Sequence, residues 1–206
     1  MTFLGKVMAL FPGLHMLTVL SSLVGFVYAP GVLSFAMIPL AVYIFPLVVF
    51  HLHNQVYPLE EGTFSIVKGY SPWFGTHMIQ QNFISFKAAE EVLRTIPGLF
   101  PLWLRAWGSK VGRNVYIAPH FEIADRSLMN IADNAIFGYG VKVSSHVISP
   151  SREHGGLKVY VRIVHIEKGG FVGAAARIAP GVVVKKGALV KATTDVYPDT
   201  VVEPRE

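Results

Sequence analysis

The sequence contains no cysteine. This rules out disulfides and fits a reducing compartment. Charge is missing from one long region: residues 7–50 include no Asp, Glu, Lys or Arg. A stretch that long can cross a bilayer twice at about twenty residues per span. The chain also lacks a basic stripe interleaved with stacking aromatics and any nucleic-acid motif. The net charge of +5 is therefore assigned to anionic headgroups and phosphorylated ligands, with nucleic acid excluded as a partner.

Within the uncharged region, Ala29, Pro30 and Gly31 supply a break. The pattern predicts a helical hairpin of residues 7–28 and 32–51, within a membrane region taken as 1–51. Pro39 and Pro46 fall in the second helix, where each removes a backbone donor. A re-entrant hairpin therefore stands beside full spanning. A cleaved signal peptide is the rival reading, but the first apolar stretch is longer than a signal core and a second follows at once. The lysines and arginines are concentrated after the spans, which places the globular part on the cytoplasmic side of the membrane.

Residues 52–107 mix aromatics with basic residues and place Trp73, Trp103 and Trp107 where a membrane interface favours amphipathic rings. A helix is expected over 84–95 and a short apolar element in "PGLFPLWLRAW". The region reads as an interfacial platform or as an N-terminal cap on residues 108–206, and the two are compatible.

Residues 171–190, "FVGAAARIAPGVVVKKGALV", show neither strand alternation nor a helical stripe. Their order appears at a step of six. Ile166, Val172, Ile178, Val184, Val190, Val196 and Val202 are β-branched aliphatics in one register. The spacing returns upstream at Val111, Ile117 and Ile123 and then, after a slip of two residues, at Ile131, Phe137 and Val143. Small residues follow several of them, including Gly112, Ala118, Gly138 and Gly173. Three hexads close one turn of a triangular coil, with the aliphatics inside and small residues where the backbone bends. The repeat predicts roughly four coils over residues 108–206. The whole chain is thus expected to be α+β, with apolar helices first and a parallel β-helix last.

The repeat is interrupted once by an excursion, "SSHVISPSREHGGLKVYVRIV", which opens at His146. An imidazole titrates near neutrality and suits a general base. Spacing alone leaves His146 equally open to a structural role at a coil corner. His51, His53, His120 and His165 read as interfacial or coil-surface residues.

The blocks "VGRNVYIAPHFEIADRSL", "IADNAIFGYGVKVSSHVI" and "HIEKGGFVGAAARIAPGVVVKKGALV" resemble the hexapeptide-repeat acyltransferases, and the likeness, which covers about residues 108–200, is to a membrane-anchored member resembling polysaccharide O-acetyltransferases. The resemblance implies a left-handed β-helix, a homotrimer with sites between subunits, and transfer of an acyl group from acyl-CoA, acetyl-CoA first. The acceptor it implies is a hydroxyl of a sugar or lipid-linked glycan precursor, with membrane lipids as neighbours, no metal, and an acyl carrier protein as an alternative donor. It makes His146 the catalytic base. It also puts the cofactor carbonyl and an oxyanion donor at Gly173 and Ala174, next to Ala175. Lys185, Lys186 and Lys191 would meet cofactor phosphates, or simply solubilise the coil. Ser145, Arg152, Glu153 and His154 would touch the acceptor, the last three being equally readable as a loop tip or trimer contact. Two other classes stay open: a non-catalytic trimeric scaffold, and a zinc carbonic anhydrase using His146, His154 and His165.

Overall fold

The computed structural model describes residues 2–204, so Met1, Arg205 and Glu206 of the expected first and last regions lie outside it. The uncharged region forms α1 (Phe3–Ala9), α2 (Phe11–Tyr28), α3 (Val32–Pro39) and α4 (Phe45–Val56). Thr2 caps α1 through its hydroxyl, which accepts from Gly5 N–H at 3.1 Å. The chain reverses at Ala29 to Gly31, as the sequence pattern predicts. Between the two prolines of the second arm lies a π-helical stretch, Leu40–Ile44. Its wide turn accommodates rings that cannot donate to the preceding turn. The continuous apolar helices Phe3–Tyr28 and Val32–Val56 are long enough to cross a bilayer, and in each most of the apolar window faces outward, only 11% and 6% being buried. Such outward apolar surface is consistent with membrane association.

Strand β1 (Gly62–Ser65) comes next, followed by α5 (Pro72–Ser85), α6 (Ala88–Arg94) and α7 (Leu99–Ala106). The helix expected over 84–95 starts later, at Ala88, because Phe86 and Lys87 turn the chain between α5 and α6. The interfacial reading of the tryptophans is overturned. Trp73, Trp103 and Trp107 are all buried: Trp103 and Trp107 inside the junction between the hairpin, α5–α7 and the repeat, and Trp73 in a second cluster with Leu128, Val159 and Val161. Trp107 packs on Phe50 with centroids 4.9 Å apart, and Trp103 lies edge-on to Tyr43. Indole area removed from water here is apolar driving force that a headgroup layer would not supply.

From residue 110 the chain runs through short strands: β2 (Lys110–Val111), β3 (Tyr116–Ile117), β4 (Glu122–Ile123), β5 (Met129–Ile131), β6 (Ile136–Phe137) and β7 (Lys142–Val143). An antiparallel hairpin follows, β8 (His146–Ser151) and β9 (Gly156–Val161). The short strands then resume with β10 (Val164–Ile166), β11 (Phe171–Val172), β12 (Arg177–Ile178), β13 (Val183–Val184), β14 (Leu189–Val190), β15 (Asp195–Val196) and β16 (Val201–Val202). Three parallel sheets result, with orders β2-β5-β10-β13-β16, β3-β6-β11-β14 and β4-β7-β12-β15. Successive strands visit the three sheets in turn, the connectivity of a three-sided coil.

The repeat aliphatics stack in register. Val111 pairs with Ile131, Ile131 with Ile166, Ile166 with Val184 and Val184 with Val202. Most of their side chains are buried. Gly169, Ala175, Gly181, Gly187, Thr193 and Asp199, again six apart, all have positive φ and turn the corners. Gly173 answers a different demand, close approach: a Cβ there would lie 2.4 Å from Ala192 N in the next coil.

The excursion is an ordered sheet. β8 and β9 pair along their whole lengths, and β1 adds a third strand to β9. The helices are tied to the coil by a buried ion pair. Arg126, fully buried, donates to both oxygens of Glu90 on α6, at 2.6 and 2.9 Å. Gln80 Oε1 accepts from Arg126 N–H at 2.8 Å, and Trp103 Nε1 donates to Glu90 at 3.1 Å. Breaking a buried pair strands the remaining charge. Glu90→Gln is expected to cost about 3–5 kcal/mol, read as a lowered thermal midpoint in detergent. A Glu90→Leu/Arg126→Met double variant is expected to recover much of that loss.

Candidate active site

His146 leaves the coil at the corner after β7 and opens β8. One coil earlier, at the same corner after β4, stands Asp125. Here the repeat slips by two residues. The slip turns Asp125 toward His146 and Arg126 toward the helices. His146 Nδ1 lies 2.7 Å from Asp125 Oδ2. An ionised carboxylate only accepts, so in the neutral imidazole the bond assigns the proton to Nδ1 and leaves the lone pair on Nε2. Ser145 N–H donates to the same Oδ2 at 3.0 Å, and Trp73 Nε1 donates to Oδ1 at 3.0 Å. Asp125 is buried and receives three N–H groups, which hold the imidazole's orientation. Burial alone would raise its carboxyl, but the His146 hydrogen bond, the attraction of the His146 and His77 rings when protonated and the Trp73 bond outweigh that and hold it below the usual carboxylate range.

Helix α5 supplies the other wall. Trp73 packs on His146 with centroids 4.5 Å apart, and His77 stacks on Trp73 at 4.9 Å. His77 meets His146 edge-on at 5.1 Å, and its Nδ1 is buried, 4.0 Å from Asp125 Oδ1. Burial is the main cause that lowers His77 to about 4; the Asp125 charge opposes the fall, while His146 and Arg126 add to it. His77 is therefore neutral near pH 7. A lowered folded value means the unfolded chain binds more protons at intermediate pH. Stability from His77 is thus present above about pH 6.5, its ordinary value, and is lost as pH falls through about 4. Thermal midpoints across that window should fall for the wild type, with a shallower fall in His77→Phe, whose ring keeps the stack on Trp73.

Sequence reasoning named His146 and missed Asp125, Trp73's role and His77. The two-residue slip was the available signal for Asp125, because it lies one coil below the excursion. Ser145 is buried, its hydroxyl donating to Leu128 O at 2.8 Å, so its side chain is structural while its N–H orients Asp125. Arg152, Glu153 and His154 form the hairpin tip, roughly 20 Å along an extended strand from His146. They are held there by Ser65 Oγ donating to His154 O and Lys68 Nζ donating to Glu153 O. Within one chain they are remote from the dyad.

Gly173 and Ala174 lie at a second corner, after β11, and Lys191 is beside them in the next coil. Gly173 N–H is spent on Val190 O at 2.9 Å, and Ala174 N–H has no backbone acceptor among the described residues. Lys185 and Lys186 follow β13 at a third corner. There Lys185 Nζ lies 3.2 Å from Glu167, which also accepts from Lys186 N–H.

The fold does not assemble His146, His154 and His165 as one ligand set: His154 is at the tip and His165 sits on β10 near Asn130. It does bring ligand atoms of His77, Asp125 and His146 within 4.8 Å of one another. Asp125 Oδ2 is engaged by Ser145 N–H and His146 Nδ1, and Oδ1 by Trp73 Nε1.

No family model matches the chain, and no curated protein matches it. Among solved structures, a hexapeptide-repeat acetyltransferase of Vibrio cholerae is 15% identical, with 57% of this chain and 84% of that one covered and a TM-score of 0.40. A structure of a Vibrio cholerae hexapeptide-repeat acetyltransferase with acetyl-coenzyme A is 16% identical, covering 59% and 81%, with a TM-score of 0.39. A galactoside acetyltransferase in complex with coenzyme A is 15% identical, covering 59% and 77%, with a TM-score of 0.34. Over somewhat more than half its length, then, this chain is similar at low identity to hexapeptide-repeat acetyltransferases.

Proposed function

We propose that this protein is a membrane-attached acyltransferase moving an acyl group, acetyl first among donors, from a coenzyme A thioester to a hydroxyl of a sugar or lipid-linked glycan precursor. The observation that carries this reading is the 2.7 Å contact of His146 with buried Asp125 where the hexapeptide coil is interrupted. Nε2 takes the proton of the acceptor hydroxyl as its oxygen attacks the thioester carbonyl. The C–S bond then breaks, and the imidazolium, stabilised by Asp125, returns the proton to the leaving thiolate. A backbone N–H suffices for the intermediate's oxyanion, and Ala174 N–H is the candidate donor.

His146 and Ala174 sit at different corners of successive coils, after β7 and after β11, and on this reading the site is completed by a neighbouring copy in a homotrimer of left-handed coils. Tyr116, Ile136, Phe171 and Leu189 support that assembly. They occupy matching positions on the four strands of the second sheet and present an exposed apolar stripe. The apolar hairpin holds the coil at the cytoplasmic face of the membrane, and the acceptor is presented from that surface.

The test is release of free thiol from a panel of acyl-coenzyme A donors by the full chain in detergent, with membrane lipid and sugar acceptors supplied. Acceptor-dependent release, unchanged by a chelator, is the expected result. Absence of release with every donor and acceptor would overturn the reading.

A further inference from the structure

A cavity of about 280 Å³ lies between the α5–α6 turn and the outer face of the third sheet. Its wall includes Ile84, Lys87, Arg94, Glu122, Lys142 and Ser144. The ammonium groups of Lys87 and Lys142 flank one carboxylate, Glu122, at 2.6 and 3.4 Å, so two positive charges share a single negative one. Two further cations at the cavity are each matched by a carboxylate: Arg126 by Glu90 and Arg177 by Asp195. Arg94 pairs with Glu91 and donates to Phe121 O at 2.8 Å. Its side chain is only 9% exposed, and its Nε–H is buried without an acceptor. The cavity therefore carries an excess of positive charge, with the poorly solvated Arg94 guanidinium in its wall, and an anion would balance that excess.

Its size is at the low end for small-ligand sites, enough for a head group and too little for a lipid chain. An apolar place for the chain lies on the other side of the α5–α6 turn. A second cavity, of about 250 Å³, is lined there by Met16, Val19, Val42, Phe83 and Phe86. Phe83 belongs to both cavities. The turn is fixed to the second apolar helix by Tyr43 Oη, which donates to Ala89 O at 2.8 Å. The wall of the first cavity also includes Ala124 and Ser144, the first adjacent in sequence to Asp125 and the second donating from Oγ to His146 O at 2.8 Å, so that cavity borders the segments that carry the dyad.

We propose that this basic cavity binds the phosphate of a membrane lipid, with the hydrocarbon chain lying in the apolar cavity on the hairpin, and that it is the acceptor's anchoring site. The anchoring role rests on the acyltransferase reading, but the binding is measured with no donor present. The full chain in neutral detergent is titrated with dioctanoyl phosphatidate, with chain-matched dioctanoylglycerol, and with inorganic phosphate and coenzyme A as competitors. Saturable binding of phosphatidate but not of the glycerol is expected, weakened at least tenfold in Lys87→Gln/Lys142→Gln. The double variant leaves the buried core untouched.

Equal binding of the uncharged lipid, or no effect of the double variant, would overturn the site. Equal competition by inorganic phosphate or coenzyme A would assign it to a soluble phosphate and overturn the lipid. A chain that binds phosphatidate yet never releases thiol would keep the site and lose the enzyme reading. A chain that releases thiol but does not bind would do the reverse.

Discussion

Replacing His146 with alanine is expected to lower donor-dependent thiol release by about 10²–10⁴-fold, the usual contribution of a positioned general base. The expectation rests on the proton inventory of the site. Asp125 can only accept, so Nδ1 carries the hydrogen and Nε2 is the free base. Alanine removes both. Little change in the fold is expected, because His146 is half-buried at a strand start and pairs with Val161 through its backbone. Ser145 N–H and Trp73 Nε1 continue to hold Asp125. The check is a comparison of initial rates at saturating donor, with the thermal midpoint measured alongside. Undiminished turnover in a folded variant would remove His146 as the base and move attention to His77, the other imidazole of the cluster.

The coil was legible because its physics repeats. Each hexad must bury one aliphatic, and the stacked pairs Ile166–Val184 and Val172–Val190 are the ones the spacing predicts. The break in the apolar region was legible for the same kind of reason, since Pro30 and Gly31 interrupt an otherwise uniform run. Helix α5 was not. Trp73, Thr76, Ile79, Gln80 and Phe83 are buried on several sides, against the apolar hairpin, α7 and the coil. A helix enclosed that way shows no single apolar stripe. Its tryptophan looked interfacial because the sequence beside it is apolar, while its true partner, Asp125, lies 52 positions away. His146 announced itself by stopping the repeat. Asp125 only shifted the repeat by two residues, and a shift that small looks like a tolerated irregularity until the stacking of coils places it under the histidine.

Asp125→Asn replaces one carboxylate oxygen with an amide nitrogen and should reveal more about the site than any larger substitution. The carboxylate accepts from Trp73 Nε1, Ser145 N and His146 Nδ1. Asparagine offers one accepting oxygen and an amide that only donates. If the oxygen stays with Trp73, the amide faces the backbone N–H of Ser145 and the ring of His146. Imidazole then relieves the clash by accepting at Nδ1 and carrying its proton at Nε2, the atom that in the proposed mechanism takes the acceptor's proton. The same inversion in hydrolase triads drops kcat by about 10⁴-fold, and a fall of that order in kcat with a small change in KM is expected here.

The variant should also alter acid stability. Asp125 is held below its ordinary value, so its contribution is present above that ordinary value and is lost as pH falls through the lower folded one. Asparagine has no such branch, so its thermal midpoint should start lower at neutral pH and fall less steeply at the acid end, where the remaining slope comes from His77 and other groups. A variant that turned over normally would show that the dyad's tautomer is irrelevant to the chemistry. One that lost activity while keeping the wild-type acid slope would place the stability of this corner in groups other than Asp125.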